Sequence, residues 1–409
     1  MEELAINGGK PVRETPIYYG HQYIDEDDIQ AVVDVLKSDY LTCGPAIVAL
    51  ENKLCQITGA KYAVAISNGT AALHAACYAA GIKEGDEVIT TPLTFAASAN
   101  CALYLGAKPV FADVNPKTYH IDPDSIEAHI TERTKAVVAV DFTGQAVELD
   151  RIRDICIRHN LILIEDGAHS IGTLYNGKPV GSIADLTTFS FHPVKTVTGG
   201  EGGAILTNDD ELYKRLLLFR SHGITRDESL MDKSEEYMAD ADATEEGPGP
   251  WYYQQVDLGL NYRMTDIQAT LISSQLNKLG QFKNRRRDIV NAYNEAFDGF
   301  EGVIIQKEIP ESDTARHLYI IRLDLDKLTA GRRQVFDALK AENVCCNVHY
   351  IPVYYFPYYQ KLGYKRGLCP NAECIYDGII SIPLYPAMTD EDIESVIGAV
   401  KKVVTYYRK

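Results

Sequence analysis

Five short segments of this chain carry residue types able to do chemistry. The most telling is Thr188-Phe-Ser-Phe-His-Pro-Val-Lys195-Thr-Val-Thr-Gly-Gly-Glu-Gly-Gly203. A lysine just past a buried strand end loses solvation, which lowers its pKa and frees the amine as a nucleophile. The glycines after it let backbone approach a ligand closely. A lone lysine after a strand is usually a surface residue; the flanking pattern sets Lys195 apart. The second segment, Leu161-Ile-Leu-Ile-Glu-Asp166-Gly-Ala-His169-Ser170, delivers a carboxylate to the end of an apolar strand. Asp166 either holds a protonated heterocycle or caps the next turn, and strand-end aspartates also serve dinucleotide and magnesium sites.

The third segment, Ala63-Val-Ala-Ile-Ser-Asn68-Gly69-Thr70, runs a strand into a helix start. Its free N–H groups suit a phosphate, though many such turns are only caps. In the fourth, Phe95 follows Pro92-Leu-Thr and is either a stacking platform or a core residue. The fifth, Gly259-Leu-Asn261-Tyr-Arg263-Met-Thr265, reads by itself as a helix entry capped by Thr265. A nucleophilic lysine, an acidic ring partner and a phosphate cradle are together the parts that pyridoxal 5′-phosphate needs, because its pyridine draws electrons best when protonated.

Regular elements must position these groups. From about Lys61 to Asn208, β-branched runs alternate with amphipathic stretches. Strands are predicted over Ala63–Ser67, Glu87–Thr90, Pro109–Ala112, Ala136–Val140, Leu161–Ile164, Thr187–Phe191 and Gly203–Leu206. Strand alternating with helix implies a mostly parallel sheet covered on both faces, with ligands at the strands' carboxyl ends. Helices are predicted over Asp25–Lys37, with Asp25 as cap and an apolar stripe of Ile29, Val32, Val33 and Leu36, and over Leu149–His159. After this block come two long helices, Thr265–Leu279 and Phe282–Phe297. Strands near Tyr319–Leu325 and Val344–His349 follow, and the chain closes with a helix at Thr389–Tyr406. A boundary near Leu276–Gln281 divides residues 1–275, a large unit with an N-terminal arm, from 276–409, a smaller one. The acidic stretch Asp227–Gly249 reads as a solvated surface loop, with a lid as the alternative.

The formal net charge of −17 over 409 residues argues against a nucleic-acid partner. Nine scattered cysteines fit reduced thiols in a cytoplasmic protein. No signal peptide or membrane-length apolar run is apparent. No histidine or cysteine spacing suggests a metal, and the signatures of dinucleotide folds, P-loops, serine hydrolases and zincins are missing.

Taken in order, strand-Glu-Asp-x-Ala-His, Ser-Phe-His-x-x-Lys, Gly-Glu-Gly-Gly and Asn-Tyr-Arg-Met resemble the DegT/DnrJ/EryC1/StrS family of sugar aminotransferases, from Ile17 to about Tyr406. The resemblance implies an α/β fold of the aspartate aminotransferase type (fold type I), with a seven-stranded, mostly parallel sheet and a smaller C-terminal α/β domain. It implies Lys195 as the Schiff-base lysine, Asp166 as pyridinium partner, and Gly69, Thr70 and Ser190 on the phosphate. Phe95 would stack on the ring, His169 would join the cofactor site, and Asn261 would reach the phosphate of the other subunit in a homodimer. Tyr19, Tyr40, Thr42, Asn68, His192, Arg263, His349 and Tyr350 would line the substrate pocket.

Within the family, Phe219–Thr225, Gly249–Tyr253 and Val348–Val353 resemble the pseudaminic acid branch, which aminates C4 of a UDP-linked 4-keto-6-deoxy-N-acetyl sugar. L-Glutamate would give the amine and leave as 2-oxoglutarate. Lys195 stands where dehydrating relatives look to carry His, which favours amine transfer over hydroxyl removal. A non-catalytic regulator, or an aminotransferase for another nucleotide keto-sugar such as the GDP-perosamine type, is the competing reading.

Overall fold

In the computed structural model the alternating segments close into one seven-stranded sheet. The structure describes residues 2–238, 241–242, 244 and 247–409. The strands, in chain order, are β1 (Tyr62–Ile66), β2 (Glu87–Thr90), β3 (Lys108–Phe111), β4 (Thr134–Val140), β5 (Ile162–Asp166), β6 (Leu186–Ser190) and β7 (Gly203–Thr207). They lie in the order β1-β7-β6-β5-β4-β2-β3. All neighbours are parallel except β7, which runs antiparallel to both β1 and β6. The glycine turn after Lys195 reverses the chain and makes that exception. Most residues of these strands are buried, as expected of a sheet covered on both faces.

Helix α3 (Gly69–Ala79) packs on the sheet through Ala71, Ala72, Ala75, Ala76 and Ala79, all buried, whose short side chains let backbone lie close. Ahead of it stand α1 (Glu26–Leu36) and α2 (Pro45–Thr58). Asp25 caps α1 in a reciprocal box with Asp28. The predicted apolar stripe of α1 does not face the core. Ile29 is 48 % and Leu36 55 % exposed, whereas Asp28 is fully buried. Asp28 accepts from Ser274 Oγ and Gln275 Nε2, each at 2.6 Å, and pairs with Lys278 at 2.9 Å. These bonds turn the polar side of α1 onto α4 (Asp266–Leu276), which Thr265 caps.

Helix α5 (Leu279–Phe297) runs between two cores. Leu279 and Phe282 pack with the large sheet, while Ile289, Val290, Tyr293 and Phe297 pack with the C-terminal unit. That unit holds the antiparallel sheet β8 (Val303–Ile305), β9 (Tyr319–Leu323) and β10 (Ile379–Ile382), with α6 (Asp390–Tyr407) closing the chain. The strand predicted at Val344–His349 is only Val344–Cys345, and it pairs in parallel with Ile17–Tyr18. Leu4 and Ile17 also join the C-terminal core. We therefore propose that the division of the chain runs through α5 and that the N-terminal arm belongs with the smaller unit. The Asp227–Gly249 stretch is pinned at Asp232, whose N–H donates to Gln254 Oε1 at 2.7 Å. Residues 239, 240, 243, 245 and 246 of it lie outside the described residues.

Candidate active site

The carboxyl ends of β5 and β6 bring Asp166 and Lys195 together, on a strand terminus and in the turn that follows the next strand. Asp166 ends β5 and is buried. Its Oδ2 accepts from Ser98 Oγ at 2.7 Å and its Oδ1 from the Ala168 N–H at 3.2 Å. Thr94 Oγ1 backs Ser98 Oγ at 2.7 Å. Burial raises the Asp166 carboxyl; the Ser98 bond and the charge of Lys195 oppose that. Burial pushes the Lys195 amine down to about 8, with the charge of Asp166 pulling the other way. Lys195 makes no ion pair among the described residues, so nothing ties up its amine. The amine is thus desolvated and under the influence of one buried acid, the condition that shifts a lysine toward nucleophilic chemistry.

A cradle lies one strand away. Asn68 caps α3 through a 2.8 Å bond from the Ala71 N–H, which leaves the first N–H groups, those of Gly69 and Thr70, without helical acceptors. A Cβ on Gly69 would stand 2.8 Å from the Ser190 Cβ, so glycine there is what lets the helix start meet β6. Gly203 is equally constrained, since its Cβ would fall 2.5 Å from the Asn68 carbonyl oxygen. Gly69, Thr70 and Ser190 thus form one concave group of donors at the positive end of a helix. Phe95 is 62 % exposed, so it is not a core residue and its face is open to a flat ligand.

Aromatic and imidazole groups wall the other side. Tyr350 OH lies 3.2 Å from His169 Nε2, and its ring centroid is 6.4 Å from that of Phe95. His349 Nδ1 meets Ser381 Oγ at 2.8 Å, and Tyr19 stands 5.2 Å from the His349 ring. Burial lowers His169 well below its ordinary value and His349 to about 4, and the charge of Lys195 lowers both further. Both rings are therefore neutral near pH 7. Burial pushes the Tyr350 phenol up. His169 Nδ1 is buried without a partner, an orphan that a ligand atom can satisfy.

These observations fit pyridoxal phosphate: an amine, a buried acid, a phosphate cradle, an open aromatic face and an unmatched imidazole nitrogen. Tyr19, Asn68, His349 and Tyr350 lie in or beside the assembly. Tyr40, Thr42, His192 and Asn261 are exposed, and Arg263 is half-buried. Among the described residues no side-chain hydrogen bond or ring contact joins these five to Lys195 or Asp166. Thr42 bridges to Thr265, and Asn261 to Ser221. Sequence reasoning missed Ser98, which stands three residues after Phe95 in a segment already singled out. It also missed His317, whose ring centroid is 4.6 Å from that of His169 and which no local spacing announces.

The DegT/DnrJ/EryC1/StrS aminotransferase family matches residues 22–401. The spore coat polysaccharide biosynthesis protein SpsC of Bacillus subtilis is 40 % identical over 388 residues, 94 % of this chain and 96 % of that protein. The UDP-4-amino-4,6-dideoxy-N-acetyl-beta-L-altrosamine transaminase of Campylobacter jejuni is 36 % identical over 396 residues, 96 % and 99 % of the two chains. Among solved structures, the Helicobacter pylori aminotransferase PseC, involved in the biosynthesis of pseudoaminic acid, superimposes with a TM-score of 0.86 at 30 % identity, covering 96 % of this chain and all of its own. Neighbouring folds are also solved in their pyridoxal phosphate form. A lysine, an acid and a helix start with free N–H groups at one sheet edge, within a match spanning nearly the whole chain, lead to one conclusion: the protein belongs to the DegT/DnrJ/EryC1/StrS aminotransferase family and is a pyridoxal phosphate-dependent nucleotide-sugar aminotransferase.

Proposed function

We propose that this enzyme moves an amino group from L-glutamate to C4 of a UDP-linked 4-keto-6-deoxy-N-acetylhexosamine, a step of pseudaminic acid-type sugar biosynthesis. The observation that carries the amine transfer is the Lys195 amine, desolvated, unpaired and beside Asp166. The choice of sugar is supported by likeness to the Campylobacter jejuni transaminase. A second reading, a different nucleotide keto-sugar, is favoured by the 40 % identity to SpsC. Incubation with UDP-, GDP- and TDP-linked 4-keto sugars plus glutamate, with products identified by NMR, decides between them. No amination of any 4-keto sugar would overturn both.

When bound, pyridoxal phosphate supplies the electron sink for breaking a C–H bond next to nitrogen. Lys195 would hold it covalently, Asp166 would keep its ring nitrogen protonated, and Gly69, Thr70 and Ser190 would take its phosphate. Phe95 would cover one ring face. Lys195 Nζ, when free, would be the base that takes the proton from the donor's α-carbon and the acid that gives one to the sugar carbon receiving nitrogen. A pKa near 8 suits an amine that must do both near neutral pH. Tyr350 and His349 border the space where the sugar ring enters, and their neutral state spares the pocket extra charge.

The active unit in this reading is a homodimer in the cytoplasm. Asn261 is exposed in the single chain, free to reach a neighbour's phosphate. Ile29, Leu36, Tyr40, Leu41 and Val48 present apolar surface from and around α1 and α2. Leu36→Asp on that surface is expected to yield an inactive monomer by light scattering. All nine cysteines are unpaired, as suits a reducing compartment, and no described helix is long and apolar enough to cross a membrane.

A further inference from the structure

Behind the ring partner lies a second pair of carboxyls that amine transfer does not use. Asp141 directly follows β4, and Glu165 is the penultimate residue of β5. Both are 0 % exposed. Ala139 is level with Glu165, and Val140 with Asp166. Strand alternation then puts Asp141 and Glu165 on one face, on a diagonal, and Asp166 on the other.

The hydrogen bonds leave a gap between the two. Asp141 Oδ2 accepts from Ser170 Oγ at 2.6 Å and Oδ1 from the Val147 N–H at 3.0 Å. Glu165 Oε2 accepts from Thr187 Oγ1 at 2.8 Å. Glu165 Oε1 is buried with no donor, yet it belongs to a carboxyl within hydrogen-bonding reach of Asp141. The Gly181 N–H approaches Glu165 without closing a bond of good geometry. Among the described residues neither carboxyl forms an ion pair, and the charge of Asp166 acts on Glu165. Two ionised carboxylates this close in a dry interior repel each other. A single proton between them removes the repulsion and gives Oε1 its partner.

We propose that Asp141 and Glu165 share one proton and act as positioning residues that clamp the turn carrying Asp166 and His169. The clamp grips both ends of that turn. The Asp141 N–H donates to the Asp166 carbonyl at 3.1 Å, and Ser170 Oγ, one residue beyond His169, donates to the Asp141 side chain. The turn is closed inside by the Ser170 N–H on the Gly167 carbonyl at 2.9 Å. Sharing a proton also holds the pair at one negative charge. A second charge would favour protonation of Asp166 and weaken its hold on a cationic ring. Burial pushes both carboxyls up, Glu165 to about 7; the charge of Glu165 adds to this at Asp141 and that of Asp166 at Glu165, while the contact with Asp141 holds Glu165 lower, as expected where the two share a retained proton.

The test uses holoenzyme of wild type, Asp141→Asn and Glu165→Gln, each of which replaces the shared proton with an amide N–H. Infrared spectra at neutral pH are expected to show a protonated-carboxyl band in wild type that both variants lack. Neutral turnover of both variants should stay within about threefold of wild type, because a hydrogen bond is exchanged rather than lost. On the alkaline side, wild-type kcat should fall as the pair ionises, while both variants hold their plateau further. Asp141→Ala, which leaves Ser170 and Val147 unmatched, should lose about tenfold or more. Absence of the band from wild type would overturn the shared proton. Coincident alkaline limbs for wild type and the two amide variants, or equal loss in Asp141→Asn and Asp141→Ala, would overturn the positioning role.

Discussion

The phenolic oxygen of Tyr350 stands 3.2 Å from Nε2 of His169, with the two rings inclined by only 18°. This contact joins the segment after Val344–Cys345 to the turn after β5, and so links the C-terminal part of the chain to the residue beside Asp166. Tyr350→Phe keeps the ring packing and deletes the bond, leaving His169 with both nitrogens unmatched. Its expected effect is a loss of roughly tenfold in kcat, the scale of one buried hydrogen bond left unmade, with the melting temperature little changed. Steady-state kinetics beside a thermal melt checks both parts; unchanged kcat would take the contact out of the reaction.

Lys195 carries a pH prediction with a definite sign. Its folded value, about 8, lies below its ordinary 10.5, because burial disfavours the charged amine. A depressed pKa contributes stability that is fully present above the unfolded value and is lost as pH falls through about 8. If Lys195 holds the cofactor as proposed, its neutral amine would be the nucleophile in cofactor-free protein, so the rate of capturing pyridoxal phosphate should rise up to about pH 8 and then level. Stopped-flow absorbance follows this directly. A rate that kept climbing to the ordinary lysine value would mean the amine is solvated. Lys195→Ala should remain folded, lose the visible absorbance of the lysine-bound cofactor, and show no turnover.

For Asp166, Asn is the informative substitution. It preserves an oxygen for Ser98 and the shape of the site but removes the charge that, in the proposed role, would keep a ring nitrogen protonated. Turnover should fall roughly a hundredfold or more, as when one preorganised electrostatic group is lost. Cofactor content, measured spectroscopically after dialysis, should stay near stoichiometric. A variant that lost the cofactor altogether would make Asp166 an anchor and not an electronic partner.

Much of the sheet was legible because it depends on local pattern. Runs such as Leu161–Ile164 and Gly203–Leu206 are buried on both faces and bounded by turn residues, and the observed strands differ from the predicted ones by a residue or two. Lys195, Asp166 and Gly69 stood out because strand ends in such a sheet converge on one edge. What stayed hidden rests on long-range pairing. Nothing near Asp28 says that Ser274, Gln275 and Lys278 will draw it inward and leave Ile29 outside. Nor does the spacing around His317 place it beside His169, since the long stretch of chain between them is closed only by the fold. The shared carboxyls needed both strands in register before Asp141 and Glu165 could meet.

The N-terminal arm offers a stability test distant from the chemistry. Glu342 is fully buried and accepts from the N–H groups of Ala5 and Val12, each at 2.9 Å, while Lys402 pairs with it at 3.0 Å. One carboxylate thus fastens the arm to α6, beside Leu4 in the C-terminal core. Glu342→Ala leaves a nearly buried ammonium and two arm N–H groups without their acceptor. Lys402 keeps only the Lys10 carbonyl at 2.8 Å and a longer approach to Glu2. Breaking a buried pair from one side costs about 3 kcal/mol or more, here borne by the smaller unit. The expected result is an early unfolding transition and rapid proteolysis within the first twenty residues, with the spectrum of bound cofactor unchanged until that transition. Adding Lys402→Met should recover part of the loss, because the stranded charge is then gone. If the double variant were no more stable than Glu342→Ala alone, the cost would lie in the arm's N–H groups and not in the ion pair.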